Sequence, residues 1–303
     1  MSIASASSEG GSFTSPQPFR KLGNDQHQIY LGDSLEVLKA IDAESVDLIF
    51  ADPPYNIGKK YGDFIDSWPS EKAYVDWCKE WIVESLRILK PNGSIYIMTS
   101  TQAMPHLDIY LREQIEILSR IIWSYDSSGV QAKKYFGSMY EPIIYGVKNK
   151  NNYTFNSDEI LIEAITGSKR KLIDYRKAVP TVYNSQKVPG NVWSYPRVRY
   201  RMEEYEEHPT QKPVALLERI IRASSNEGDV VLDPFAGSFT TNFVAKELNR
   251  KSIGVELNSD YVGIGLRRLG LATEFDGKEL RKAKKIYDKD EAAPENLLKL
   301  DLE

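Results

Sequence analysis

Short apolar runs alternate with longer stretches of helical period along most of the chain, and that alternation predicts successive βα units. The first are a strand at Gln28 to Leu31 with a helix at Ser34 to Ile41, and a strand at Val46 to Ala51 with a helix at Glu71 to Leu89. A strand at Ser94 to Met98 with a helix at Met104 to Leu118 follows, and then a strand at Arg120 to Tyr125. In the longest helix Tyr74, Trp77, Cys78, Trp81, Leu86 and Leu89 form one apolar stripe, and Lys90, Pro91, Asn92 and Gly93 read as its stop. The order resumes with a helix at Pro213 to Ala223, a strand at Val230 to Asp233, a helix at Thr240 to Leu248, a strand at Ser252 to Glu256 and a helix at Asp260 to Leu269. The expected fold is α/β, a mostly parallel Rossmann-like sheet.

Periodicity fails between Lys148 and Glu207, where Asn, Tyr, Pro and basic residues dominate, so this segment reads as an irregular basic insert or a small second lobe. The Ser/Gly-rich start, residues 1–17, carries too little apolar surface to offset ordering entropy and reads as disordered. The remaining divisions are 18–147 and 208–275, the two parts of the main domain, with 148–207 between them and a charged tail at 276–303.

Composition narrows the chemistry. With 303 residues, 41% apolar and 27% charged, the chain is an ordinary globular protein, one large domain or two modest ones. No run approaches the ~20 apolar residues of a membrane span, and the start has no signal-peptide core, so a cytoplasmic protein with no membrane partner is expected. One cysteine, Cys78, precludes an internal disulfide, and the scattered His27, His106 and His208 give no metal cluster.

The net charge of −4 announces no polyanionic partner. Its distribution is more telling: residues 131–201 hold thirteen Lys/Arg against five acids, a local +8 that leaves −12 for the rest. That segment is either a solvated basic face or a surface that follows a nucleic-acid backbone.

Two strand ends carry candidate chemistry. In GDVVLDPFAGSF, residues 228–239, an apolar strand ends in Asp233 and a small-residue turn entering a helix, a backbone that a bound nucleotide can approach closely. About twenty residues on, the next strand ends at Glu256, where an acid meets ribose hydroxyls in this architecture. Neither the three spaced glycines of the dehydrogenases nor a phosphate-binding Lys-Ser/Thr is present.

In VDLIFADPPYN, residues 46–56, a buried-strand run delivers Asp52, Pro53, Pro54 and Tyr55 to the carboxyl end of the sheet. The prolines stiffen the loop, so the Asp52 carboxylate, the Pro53 carbonyl and the Tyr55 ring can be held in one orientation. Such a set suits a planar group bearing an amine: two acceptors bind its N–H protons while the aromatic ring stacks on its face. Read alone, Asp-Pro-Pro can also be simply a turn.

The DPPY run at Asp52 to Tyr55, followed by HPTQKP at His208 to Pro213, DPFAGS at Asp233 to Ser238 and VELN at Val255 to Asn258, with GDSLE at Gly32 to Glu36, resembles the beta class of S-adenosylmethionine-dependent DNA amino-methyltransferases. The orphan adenine enzymes of that class are the nearest type, and the likeness runs from Ile29 to Leu269. It implies a circularly permuted motif order, with the catalytic motif preceding the cofactor motif. It also implies that Asp52, Pro53, Pro54 and Tyr55 are catalytic, that Asp233, Phe235, Ala236, Gly237 and Ser238 wall the methionine end of S-adenosylmethionine, that Glu256 binds its ribose and that Asp33 lies near its adenine. Thr210 and Lys212 would grip its carboxylate, although HPTQKP alone also reads as a plain helix entry. Where the general pattern continues glycine-threonine, this chain has Phe239 and Thr240.

Asp at the first motif position implies transfer to N6 of an adenine extruded from duplex DNA, with cytosine N4 as the rival acceptor. A non-catalytic DNA-binding regulator that keeps the fold also stays open, as does an RNA or protein methyltransferase. Within the basic insert Lys169, Arg170, Lys171, Arg176, Arg197, Arg199 and Arg201 are the DNA-binding candidates, the last three at spacing two as on one face of a strand. A palindromic site is implied, and a homodimer stays open.

Overall fold

The computed structural model describes residues 19–62, 64–126, 133–164 and 171–282. The expected disordered start, Lys169, Arg170 and the tail beyond residue 282 lie outside the described residues. The chain opens with strands β1 (Arg20–Gly23) and β2 (His27–Leu31), helix α1 (Ser34–Ala40), β3 (Val46–Ala51), a small ribbon of β4 (Lys60–Tyr61) and β5 (Phe64–Ile65), and α2 (Glu71–Ile88). It continues through β6 (Leu89–Met98), α3 (Met104–Arg112), β7 (Glu116–Ser124) and β8 (Tyr140–Val147). The irregular segment holds four two-residue strands, β9 (Ile162–Glu163), β10 (Ile173–Asp174), β11 (Thr181–Val182) and β12 (Gln186–Lys187), and then β13 (Val192–Ser194). The last part is α4 (Val214–Ser224), β14 (Val230–Asp233), α5 (Thr240–Glu247), β15 (Lys251–Glu256), α6 (Ser259–Leu269) and a ribbon of β16 (Glu274–Phe275) and β17 (Lys278–Glu279).

Nine strands form one sheet in the order β1-β2-β15-β14-β3-β6-β8-β7-β13. The central run from β2 to β6 is parallel, whereas β8 lies antiparallel to both β6 and β7. Strand β3 sits mid-sheet and all six of its residues are buried, as a strand covered by helices on both faces must be. One face packs Val37, Leu38, Tyr74, Cys78, Trp81, Ile82 and Leu107 against Ile49, Ile95 and Ile97. The other packs Leu216, Ile220, Ile221 and Val244 against Leu48, Phe50, Tyr96 and Val231. Side-chain caps start the helices where the polar residues predict: Asp33 accepts from Leu35 N at 2.9 Å, Ser70 from Ala73 N at 3.1 Å and Asn258 from Asp260 N at 2.8 Å.

Four expectations need correction. The third helix stops at Arg112 rather than Leu118, because Glu116 and Ile117 already pair with β8. The strand expected from Ser94 begins at Leu89: α2 stops at Ile88 and passes directly into β6, and Lys90 to Gly93 bulge between the pairs Val46 with Leu89 and Leu48 with Ser94, anchored by Lys90 on the buried Asp47 at 2.8 Å. The irregular segment joins the main sheet in part, since β13 pairs in parallel with β7. Arg197, Arg199 and Arg201 follow β13 without strand structure, and Arg201 has a φ of +78°, so they do not share a strand face. Strands β1 and β8 are additional, the latter being an apolar run with no flanking helix to mark it.

Candidate functional site

Strands β15, β14 and β3 are adjacent, so Glu256, the turn after Asp233 and the loop after Ala51 meet at the carboxyl edge of the sheet. A cavity of about 860 Å³ opens over these three ends. It is lined by Asp52 to Tyr55, Phe235, Gly237, Glu256, Thr210 and Lys212, and by Asp33 at the start of α1. Asp233, Ala236 and Ser238 are buried behind that wall and are not among the lining residues.

The loop bearing Asp52 is held from the residues that follow it. Asp66, wholly buried, accepts from Tyr55 N at 3.2 Å and Ile57 N at 3.4 Å, and also from Lys59 N. Asn56, at a φ of +58°, accepts from Trp68 N at 2.9 Å, and Tyr74 Oη donates to the Pro54 carbonyl at 2.8 Å. With prolines at the two centre positions, these bonds leave the loop one conformation.

The Asp52 side chain is the centre of a charged cluster. Lys212 Nζ donates to Asp52 Oδ2 and to the Thr210 carbonyl at 3.2 Å, and lies 3.8 Å from Glu141. Tyr55 Oη stands 2.6 Å from Asp52 Oδ1 and 3.0 Å from Glu141 Oε2, and Tyr125 Oη donates to Glu141 Oε1 at 3.3 Å. Burial alone would lower the Lys212 pKa, but the carboxylates of Asp52 and Glu141 outweigh it and hold the ammonium above its ordinary value. Burial, and then the same two carboxylates, push the Tyr55 phenol well above its usual range, so it stays a hydroxyl. Lys212 therefore meets the Asp52 loop directly while still lining the cavity.

The turn after β14 is tied to the end of β15. Glu256 Oε2 accepts from Gly237 N at 2.9 Å and Oε1 from Asn258 N at 2.8 Å, while burial raises its carboxyl to about 7. Asp233 accepts from Phe235 N at 3.0 Å and from Thr241 Oγ1 at 2.5 Å; its carboxyl too is pushed up to about 7 by burial. These bonds shape the turn from behind. Gly237 has a φ of +51°, and a Cβ there would meet the His208 ring at 2.8 Å. His208 is neutral, held down to about 3 by burial and by the nearby Lys212 and Lys59, and its ring packs on Tyr261.

Phe239 turns away from the cavity. It takes the left-handed conformation, φ +57°, that a glycine would occupy at this helix entry, and its fully buried ring packs with Ile29, Val262 and Leu266. The ring fills space left by Gly254 and Gly265, where an added Cβ would come within 2.7 and 2.6 Å of it. The departure from the usual motif thus leaves the cavity wall unchanged.

Of the basic candidates, Arg197 lines the cavity with its guanidinium 5.2 Å over the Tyr125 ring. Arg199 donates to the Asp126 carbonyl at 3.2 Å, and Arg176 is paired with Asp174 at 2.8 Å. Lys171 is exposed at the margin of the described segment, and Arg201 follows Tyr200 in a turn. Glu141, Asp66 and Trp68 are functional candidates that local sequence did not single out, and Trp77 and Trp81, which read there as core stripe, also line the cavity; Glu141 meets Tyr55 from 86 positions away. Among the described residues no group of His, Cys, Asp and Glu is placed to hold a metal ion, and no helix is long and apolar enough to cross a membrane.

Comparison with known proteins bears on this geometry. Residues 46–267 match the family of N6/N4 methyltransferases described as DNA methylase. The chain is 62% identical over 265 residues, 88% of its length and 90% of the relative's, to DNA adenine methyltransferase YhdJ of Escherichia coli K12. It is 36% identical to the type II methyltransferase M.HpaI of Haemophilus parainfluenzae, over 82% of this chain and 76% of that one. Among solved structures, the PvuII cytosine-N4-specific DNA methyltransferase superposes with a TM-score of 0.63 at 21% identity, over 82% of this chain and 89% of that chain, a likeness of fold. The M1.HpyAVI complex with S-adenosylmethionine superposes at 0.53 and 26% identity, over 80% of this chain and all of the other.

Proposed function

The chain belongs to the N6/N4 DNA methylase family, and from that membership we propose that the cavity over β3, β14 and β15 is where an adenine from duplex DNA meets S-adenosylmethionine, with Asp52, Pro53, Pro54 and Tyr55 as the catalytic set. The protein is a DNA adenine methyltransferase that uses S-adenosylmethionine. The observation that carries the site assignment is the convergence of the Asp52 loop and the Gly237 turn, 185 positions apart in sequence, on one cavity.

The residues fit the cofactor. The Gly237 turn offers backbone without a side chain, Glu256 offers a buried carboxylate to a diol, and Trp77, Trp81 and Phe235 offer an aromatic wall, with Trp81 Nε1 buried and unpartnered. When bound, S-adenosylmethionine supplies an electrophilic methyl group on a sulfonium. Glu256 would hold the ribose and Asp33 would lie near the adenine; Phe235 and Gly237 would wall the methionine end, with Asp233, Ala236 and Ser238 shaping that turn from behind. Thr210, which lines the cavity, would grip the carboxylate end. Lys212, in contact with Asp52, would act on the catalytic side of the pocket.

For the acceptor, the chain must raise the nucleophilicity of an amine whose lone pair is delocalised into the base. Asp52 and the Pro53 carbonyl accept its two N–H protons and draw the nitrogen toward tetrahedral geometry, while the Tyr55 ring stacks on the base. Extrusion of the base costs about a few kcal/mol, offset by stacking and by phosphate contacts from Lys171, Arg176, Arg197, Arg199 and Arg201. The enzyme then works in the cytoplasm on double-stranded DNA. Methylation-sensitive sequencing of DNA from cells with and without the protein tests this reading: N6-methyladenine at a recurrent palindromic site only in cells that contain the protein is expected, and identical methylomes would overturn it.

A further inference from the structure

Tyr55 Oη lies within hydrogen-bond distance of two carboxylates, Asp52 Oδ1 at 2.6 Å and Glu141 Oε2 at 3.0 Å, yet a phenol carries one proton and can donate to only one of them at a time. Asp52 is meanwhile engaged at its other oxygen by Lys212. As long as Tyr55 donates to Asp52, each carboxylate oxygen already accepts one charge-assisted or phenolic bond, and the amine must share an oxygen whose lone-pair density is partly drawn off. Glu141, at the entrance of β8, comes from the antiparallel side of the sheet and has no motif of its own.

We propose that Glu141 is a positioning residue for the methyl-transfer reaction: it is the second acceptor for the Tyr55 hydroxyl, and by taking that hydrogen bond it releases Asp52 Oδ1 to the target amine. The exchange needs only rotation of one O–H between two acceptors already in place, with no net proton transfer and no movement of the backbone. Lys212, 3.8 Å from Glu141 and bonded to Asp52, balances whichever carboxylate lacks the hydroxyl. Tyr125 Oη, 3.3 Å from Glu141 Oε1, holds the other oxygen of that carboxylate, and Arg197 lies over the Tyr125 ring.

This inference rests on the proposed roles of Asp52 and Tyr55, and a double-mutant cycle with Tyr55→Phe tests it separately from them. Single-turnover transfer to duplex DNA is measured for wild type, Glu141→Leu, Tyr55→Phe and the double variant, with Asp52→Ala as the control for the underlying reading. Glu141→Leu is expected to lower the transfer rate about tenfold or more, with the KM for DNA and the cofactor Kd within about threefold of wild type. Glu141→Gln, which keeps an oxygen for Tyr55, is expected to recover part of that loss. In the Tyr55→Phe background there is no hydroxyl to draw away, so Glu141→Leu should then cost little. Additive losses in the cycle, or a Glu141→Leu enzyme as fast as wild type, would overturn the proposal. An active Asp52→Ala enzyme would instead overturn the reading beneath it. Should Glu141→Leu not fold, judged by its melting temperature, Glu141→Ala completes the same cycle.

Discussion

Lys212 Nζ is bonded to Asp52 Oδ2 although the two residues stand 160 positions apart, and both side chains are almost wholly enclosed. The pair joins the HPTQKP run to the DPPY run directly. Breaking it leaves a carboxylate without its cation in a site where breaking a buried pair costs about 3–5 kcal/mol. Lys212→Met is therefore expected to lower the melting temperature and to slow methyl transfer by about a hundredfold or more, measured by thermal denaturation and single-turnover rates. A variant that matches wild type in both would show the pair to be idle.

Cofactor affinity should depend on pH through Glu256. Burial raises its carboxyl from the ordinary 4.5 to about 7, so between those values the folded protein holds a proton that the unfolded chain has released, and this group's contribution to stability falls as pH rises across that window. Ribose hydroxyls donate to the ionised form, so S-adenosylmethionine should bind more tightly as pH rises through about 7 and level off above it. Calorimetry in two buffers of different ionisation enthalpy should detect a proton released on binding below pH 7. Glu256→Gln should bind weakly with a flat profile; an unchanged profile in that variant would assign the proton elsewhere.

Phe239 is a core residue set at the edge of the cofactor turn. Phe239→Ala is expected to destabilise the fold by about 3–5 kcal/mol, the usual cost of emptying a buried aromatic site, because its ring packs on Gly254 and Gly265. The cofactor Kd, measured well below the melting temperature, should stay within about threefold of wild type. Tighter cofactor binding in the variant would mean that the ring obstructs the pocket.

The basic residues should not contribute equally to DNA binding. Arg197 stands at the cavity over Tyr125, whereas Arg176 is already paired with Asp174, whose carboxyl it holds at about 2. Arg197→Ala should weaken binding to duplex DNA by about tenfold, and Arg176→Ala by less, in titrations across salt concentration. The reverse ranking would move the DNA path away from the cavity mouth toward the β10–β11 ribbon.

How much of the molecule is legible in the sequence follows from how local each signal is. Strand β3, the turn after β14 and the end of β15 are contiguous patterns that end in their own candidate residues, so Asp52, Tyr55, Gly237 and Glu256 can be named directly as candidates. Glu141 cannot: it is the second residue of an ordinary apolar strand, and its proposed role depends on β8 returning antiparallel beside β6 to face Tyr55. Asp66 is similar, a lone acid in a loop whose three backbone partners lie seven to eleven residues back. Lys212 is visible in its motif, which points it toward the cofactor, and only the folded chain brings it onto Asp52. The arginine triplet at spacing two imitates a strand that the prolyl, irregular backbone after β13 does not form.

Everything proposed for the cavity turns on Asp52 accepting from the N6 amine of adenine. The most direct measurement is to incubate duplex DNA with isotope-labelled S-adenosylmethionine and wild-type or Asp52→Ala enzyme, digest to nucleosides and identify the labelled one by mass. Label is expected in N6-methyladenine from the wild type and none from Asp52→Ala, whose cofactor Kd stays within about threefold of wild type. Label in N4-methylcytosine, or wild-type transfer by Asp52→Ala, would contradict it.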